Sequence, residues 1–163
     1  MPEVATFEGR DVTESDFFAL LESEMAKLDQ VTHDKAKRCL AVVDELEVKA
    51  PEVSKDPSKR DALDAEAKAI GNEYLSLEKY VNVNFLAFHK ILKKHDKCLP
   101  IPCRRFYILR LSGQRWVKHD YSKVFVRLSH IHSLLRGDTL NNLDSGAAGQ
   151  VLSLPHFLSF VPG

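Results

Sequence analysis

No apolar run in this chain approaches the roughly 20 residues a helix needs to cross a bilayer. The nearest, Val151 to Val161, is short and is broken by Pro155 and His156. Work at a membrane would therefore require something else to hold the protein there. An excess of charge is missing too: 23 Lys and Arg balance 23 Asp and Glu. No global field drives the chain onto nucleic acid or lipid, so any positive charge that matters must be local. Cysteine is scarce. Three residues, an odd number, with no secretory-type apolar segment imply a reducing compartment. There is no P-loop, no dinucleotide fingerprint and no internal repeat.

What remains is a helical chain. Apolar residues make up 44% and charged residues 28%, a balance suited to one folded domain. Residues 1–12 read as a polar lead-in. Thr13, with Asp16 three residues on, marks a helix start. From there Phe18, Leu21, Met25, Leu28, Cys39, Val42 and Leu46 recur at spacings of three and four, with polar Thr32 and Lys35 at the centre of the stripe. The spacing predicts a helix of about nine turns. Residues 50–58, with Pro51 and Pro57, read as a connection. A second helix follows on Leu63, Ala67, Ile70, Tyr74, Leu77, Val81, Asn84, Phe88, Ile91 and His95. Its sustained 4–3 repeat predicts a coiled-coil-like seam, and hence a long antiparallel hairpin. Gly71 weakens it locally by about 1 kcal/mol. Asn84 either fixes register or sits at a solvated edge of the seam.

Pro100 and Pro102 end that helix. A third helix is expected over Arg104–Leu111, stopped at Ser112-Gly113. A fourth runs over Val124–Leu135 and closes at Gly137. The expected architecture is all-α: a long helical hairpin with two shorter C-terminal helices, spanning residues 13–137. Residues 138–163, rich in Gly, Asn, Ser and Ala, read as a flexible tail.

The most informative segment is Lys90-Ile91-Leu92-Lys93-Lys94-His95-Asp96-Lys97. Its lysines stand at i, i+3, i+4 and i+7, within about 100° of one helix face. Phe85, Phe88, Ile91 and Leu92 point the other way. Stacked like charges repel by a few tenths of a kcal/mol per pair, a cost that a compact anion would relieve. A solvated charged face is the plain alternative.

Other chemistry finds less support. His95, Cys98 and Cys103, with His89 a turn or two back, do not have the spacing of a recognised zinc module, and no metal is expected. The plain reading is a part-buried cysteine beside surface histidines. His130 and His132 point to different sides of a helix. With Asp120 and a serine they make a triad only on paper, because no nucleophile elbow accompanies them. The aromatics Phe17, Phe18, Tyr74, Tyr80, Phe85 and Phe88 read as core. Arg104, Arg105, Arg110 and Arg115 lack the aromatic interleaving of a nucleic-acid surface. Neither catalysis nor a cofactor is expected.

The stretch Phe85-Leu86-Ala87-Phe88-His89-Lys90-Ile91-Leu92-Lys93-Lys94-His95-Asp96-Lys97 closely resembles the signature helix of the SPX domain. Glu14–Leu28 is similar to that family's first long helix. Gln114-Arg115-Trp116, Asp120-Tyr121-Ser122 and Val126–Gly137 resemble the SPX domains of vacuolar transporter chaperone subunits, which form a polyphosphate polymerase complex. The resemblance covers roughly residues 7–137. It implies a sensor of inositol polyphosphates or pyrophosphates that reports phosphate status to an attached enzyme, transporter or partner subunit. By motif position it implies Lys93 in the core phosphate-binding cluster, with Lys90, Lys94 and Lys97 around it. It also implies a cytoplasmic location, at the cytosolic face of a vacuole-type membrane through partners. The family's short N-terminal helical hairpin, with its Tyr and Lys ligands, has no counterpart in residues 1–12, where Arg10 is the only base. Half of the site is thus expected to be missing. With only a short low-complexity stretch after the SPX-like region, the chain is not expected to polymerise phosphate itself. The alternative is a helical interaction or assembly module without a small-molecule ligand.

Overall fold

The computed structural model describes residues 13–137, together with the backbone of 6–7 and 10–11. Within the lead-in, β1 (Thr6–Phe7) pairs antiparallel with β2 (Arg10–Asp11), with Thr6 opposite Asp11. The rest of the lead-in and the expected tail, 138–163, lie outside the described residues.

Two long helices dominate. α1 (Glu14–Val53) begins where the sequence places it. Thr13 caps it by accepting from the Asp16 amide, while the Asp16 carboxylate accepts from the Thr13 amide at 2.9 Å. This reciprocal box satisfies two of the donors that every helix start leaves open. α2 (Pro57–Cys98) starts with Asp56 as N-cap and Pro57 in the first turn, where a missing N–H costs nothing. The connection is shorter than expected. α1 runs on through Pro51 to Val53, leaving residues 54–56 as the turn. Pro51 lies in the last turn, so the one donor it removes is lost where the ladder is about to end. Ser54 still donates to the Ala50 carbonyl at 2.9 Å.

The seam follows the predicted repeat with three corrections. In α1 it runs Leu21, Met25, Leu28, Thr32, Ala36, Cys39, Val43, Leu46 and Ala50. Two consecutive steps of four across the polar centre put Thr32 and Ala36 inside and leave Lys35 in solvent. Further on, Val43 is fully buried and Val42 only half-buried. In α2, Leu92 (1% exposed) holds the position assigned to Ile91 (45% exposed). Asn84 is half-buried and donates to the Tyr80 carbonyl at 2.8 Å, which fits the solvated-edge reading. Tyr80 is exposed rather than core.

Three short helices cover the hairpin, one more than expected: α3 (Arg104–Ser112), the added single turn α4 (Arg115–Lys118) and α5 (Ser122–Arg136). Trp116 within α4 is 1% exposed and explains the extra turn, since burying an indole brings well over 150 Å² out of water. α5 packs against both long helices near the hairpin turn. A Cβ on Gly71 would meet Leu128 Cδ1 at 3.3 Å, so this glycine lets α5 approach α2 closely. Arg127 forks onto both oxygens of Glu47 at 2.8 Å, tying α5 to α1 and holding the Glu47 carboxyl below its ordinary range. Gly137 ends α5 with φ 73°, a left-handed cap that a side chain would strain. Apart from the two-residue β pair, the described residues form an all-α bundle, and among them no helix is long and apolar enough to cross a membrane.

The corrected register makes a direct prediction. Leu92→Ala should cost about 2–5 kcal/mol in urea unfolding, and Ile91→Ala less than about 1 kcal/mol. Equal losses would mean that Ile91 shares the seam.

Candidate functional site

The end of α2 carries two groupings of chemistry on opposite sides. On the first, Lys90, Lys93, Lys94 and Lys97 are all exposed. Phe88, Leu92 and His95 are buried and mark the direction of the seam. At about 100° per residue the lysines centre on the far side of the helix. Among the described residues no carboxylate lies within ion-pair distance of any of the four. Some basic residues elsewhere are engaged: Arg115 pairs with Asp29 at 2.6 Å, Arg110 with Glu22 at 2.8 Å, and Lys27 with Glu24 at 2.6 Å. The four ammonium groups therefore form an uncompensated cluster on one rigid helix. Such a cluster suits an anion carrying several phosphates, to which each lysine offers a point charge and three donors.

On the second side, the sequence segment after α2 doubles back. Cys103 precedes α3 and supplies no side-chain cap of its own. The Asp96 carboxylate takes that role from α2. It accepts from the Cys103 amide at 2.9 Å and from the Arg104 amide at 3.1 Å. The Cys103 amide first, with His95 and the Arg104 amide, holds the Asp96 carboxyl down at about 2. His95 is buried, with Phe17 stacked on its ring at 4.7 Å and Glu14 Oε1 3.2 Å from Nε2. That carboxylate is in ion-pair range, though out of line for a direct hydrogen bond. Burial and the Asp96 carboxylate push the Cys103 thiol up to about 11, so it stays protonated.

Of the residues weighed from spacing, His95 and Cys103 meet here. Cys98 is exposed. His89 lies instead against Phe85 at 4.7 Å, and burial, then Arg104, push its pKa down. The paper triad is dispersed. His132 Nδ1 faces Asp64 at 2.6 Å, His130 is exposed, and Asp120 accepts from Ser122 at the start of α5. Sequence reasoning missed a part-buried pair, Tyr74 Oη and His119 Nε2 at 2.6 Å. Burial pushes the tyrosine up to about 12 and the histidine down, so both stay neutral. Nothing in the helical periodicity marks His119, which sits in a turn. A groove between α1 and α2, lined by Phe17, Leu20, Val31, Tyr80 and Ile91, runs beside the lysine face.

The chain is 30% identical over 146 residues to vacuolar transporter chaperone complex subunit 4 of Schizosaccharomyces pombe, a match covering 83% of this chain and 20% of that protein. The chain spans about a fifth of that protein's length. No protein-family profile matches the chain, and no solved structure matches it.

The remote cap is open to test. With Asp96→Ala, amide exchange at Cys103 and Arg104 should speed up while α1 and α2 keep their protection. Asp96→Asn, which retains an acceptor, should restore most of it. Unchanged exchange in the alanine variant would show that α3 starts without Asp96.

Proposed function

We propose that this chain is a non-catalytic sensor module that binds inositol polyphosphates or pyrophosphates through Lys90, Lys93, Lys94 and Lys97. The observation that carries the reading is the uncompensated lysine face at the end of α2, opposite the seam. Its physical logic is simple. The seam pins the helix, so the four ammonium groups are held together whether or not a ligand is present. A multiply phosphorylated ligand removes their mutual repulsion and makes charge-assisted hydrogen bonds, which are the stronger kind. The SPX-like sequence of the same segment supports this ligand class. The similarity to a vacuolar transporter chaperone subunit supports a role beside other subunits of such a complex; the SPX-like reading supports the cytosolic face of a vacuole-type membrane as the location of that role.

A second reading rests on the groove beside the lysines. Its apolar lining, with Leu20 61% and Ile91 45% exposed, would suit an assembly module whose lysines are only solvated. Salt separates the two. Binding through lysines weakens with ionic strength, whereas apolar association does not.

Calorimetric titration with inositol hexakisphosphate, at low and at moderate salt, should show binding that weakens as salt rises. Changing the four lysines to Ala should weaken it at least about tenfold, since one charge-assisted hydrogen bond alone accounts for that much. Thermal stability should barely change, because exposed charges contribute little to it. No heat at either salt, with a mass that grows with protein concentration, would favour the assembly reading.

A further inference from the structure

We propose that His95, Asp96 and Cys103 form a binding site for a zinc-class divalent cation at the joint between α2 and α3. His95 Nδ1 lies 3.2 Å from Asp96 Oδ1 and 3.2 Å from Cys103 Sγ, and Sγ lies 3.5 Å from the same Oδ1. The three atoms close a triangle, one donor from each of three residue types. Nitrogen, oxygen and sulfur ligands of a tetrahedral zinc, at roughly 2.0–2.3 Å from the metal, stand about 3.3–3.6 Å apart. The observed triangle needs to open by only a few tenths of an ångström.

Without a cation, Nδ1 and Oδ1 stand within reach of one hydrogen bond, and Sγ lies close to both. A cation at the centre would replace those contacts and engage all three atoms at once. The surroundings match what metal sites use to orient ligands. A carboxylate stands behind the histidine, Phe17 covers the ring, and the two amides of Cys103 and Arg104 fix the Asp96 carboxylate. The mixed set favours a borderline ion such as Zn²⁺ over Mg²⁺ or Ca²⁺, which prefer oxygen. Binding converts the Cys103 thiol to thiolate and releases its proton to water. Three protein ligands leave one tetrahedral position to solvent.

Spacing alone pointed to Cys98 and gave no reason to include Asp96; the turn through Pro100 and Pro102 makes the substitution. The site would pin the far end of α2 to α3 directly behind the lysine face.

The test is a titration of the full, reduced, chelator-treated chain with Co²⁺, followed by competition with Zn²⁺. One equivalent should produce a near-ultraviolet sulfur-to-cobalt charge-transfer band and tetrahedral visible bands, both lost on adding Zn²⁺. Cys98→Ser should leave the spectrum intact, and Cys103→Ser should remove the charge-transfer band. Asp96→Asn keeps a capping acceptor and should weaken Co²⁺ binding at least about tenfold, the loss that even outer partners can produce. Circular dichroism reports whether each variant folds. If Cys103→Ser does not, the parent spectrum and the Asp96→Asn affinity decide. A parent chain without a charge-transfer band overturns the proposal, as does a band that follows Cys98, or an affinity indifferent to Asp96.

Discussion

One apolar seam decides where every other group in this molecule can stand. α1 and α2, of 40 and 42 residues, each extend about 60 Å, and neither has an independent core. Their stability comes from closing Leu21 to Ala50 against Leu63 to His95. Once those residues face inward, the helical period leaves no choice for the residues between them. Lys90, Lys93, Lys94 and Lys97 must face outward together, and Asp96 must project to one flank, where it meets the start of α3. The functional surface is thus a consequence of the packing.

The end of α2 is also where the separate parts of the chain converge. Glu14 and Phe17 from the first turns of α1 reach His95. Phe18 stacks on Tyr107 of α3 at 4.9 Å, closing the same end from the other side. Asp96 caps α3. A lysine face built on a fraying helix end would spend most of its time dispersed. Here the last turn is held by burial, ring stacking and a remote cap, so the charges are preorganised, and a ligand need not order them before binding.

Much of this was legible from the residues. Thr13 and Asp16 announce the start of α1, Gly137 the end of α5, and the 3–4 spacing the hairpin. Adjacent apolar pairs were not resolved. Val42 and Val43, or Ile91 and Leu92, fit the repeat equally well, and only packing shows which member turns inward. A polar centre at Thr32 hid two consecutive steps of four, which put Ala36 rather than Lys35 inside before the repeat resumes at Cys39. Pro51 looked like a terminator but falls in a last turn that tolerates it. Contacts made by turns left no periodic trace. Asp96 with Cys103, and Tyr74 with His119, depend on where the chain doubles back. The lysine face was readable because all its members sit on one helix.

The central claim is that the seam holds four lysines as one anion-binding surface. Side-chain NMR of the lysine Nζ groups tests it most directly, with inositol hexakisphosphate added stepwise to the intact chain. The account predicts that Lys90, Lys93, Lys94 and Lys97 shift together along one saturating curve, while lysines on α1 such as Lys35 and Lys49 stay still. Shifts spread evenly over all exposed lysines, or none at these four, would contradict it.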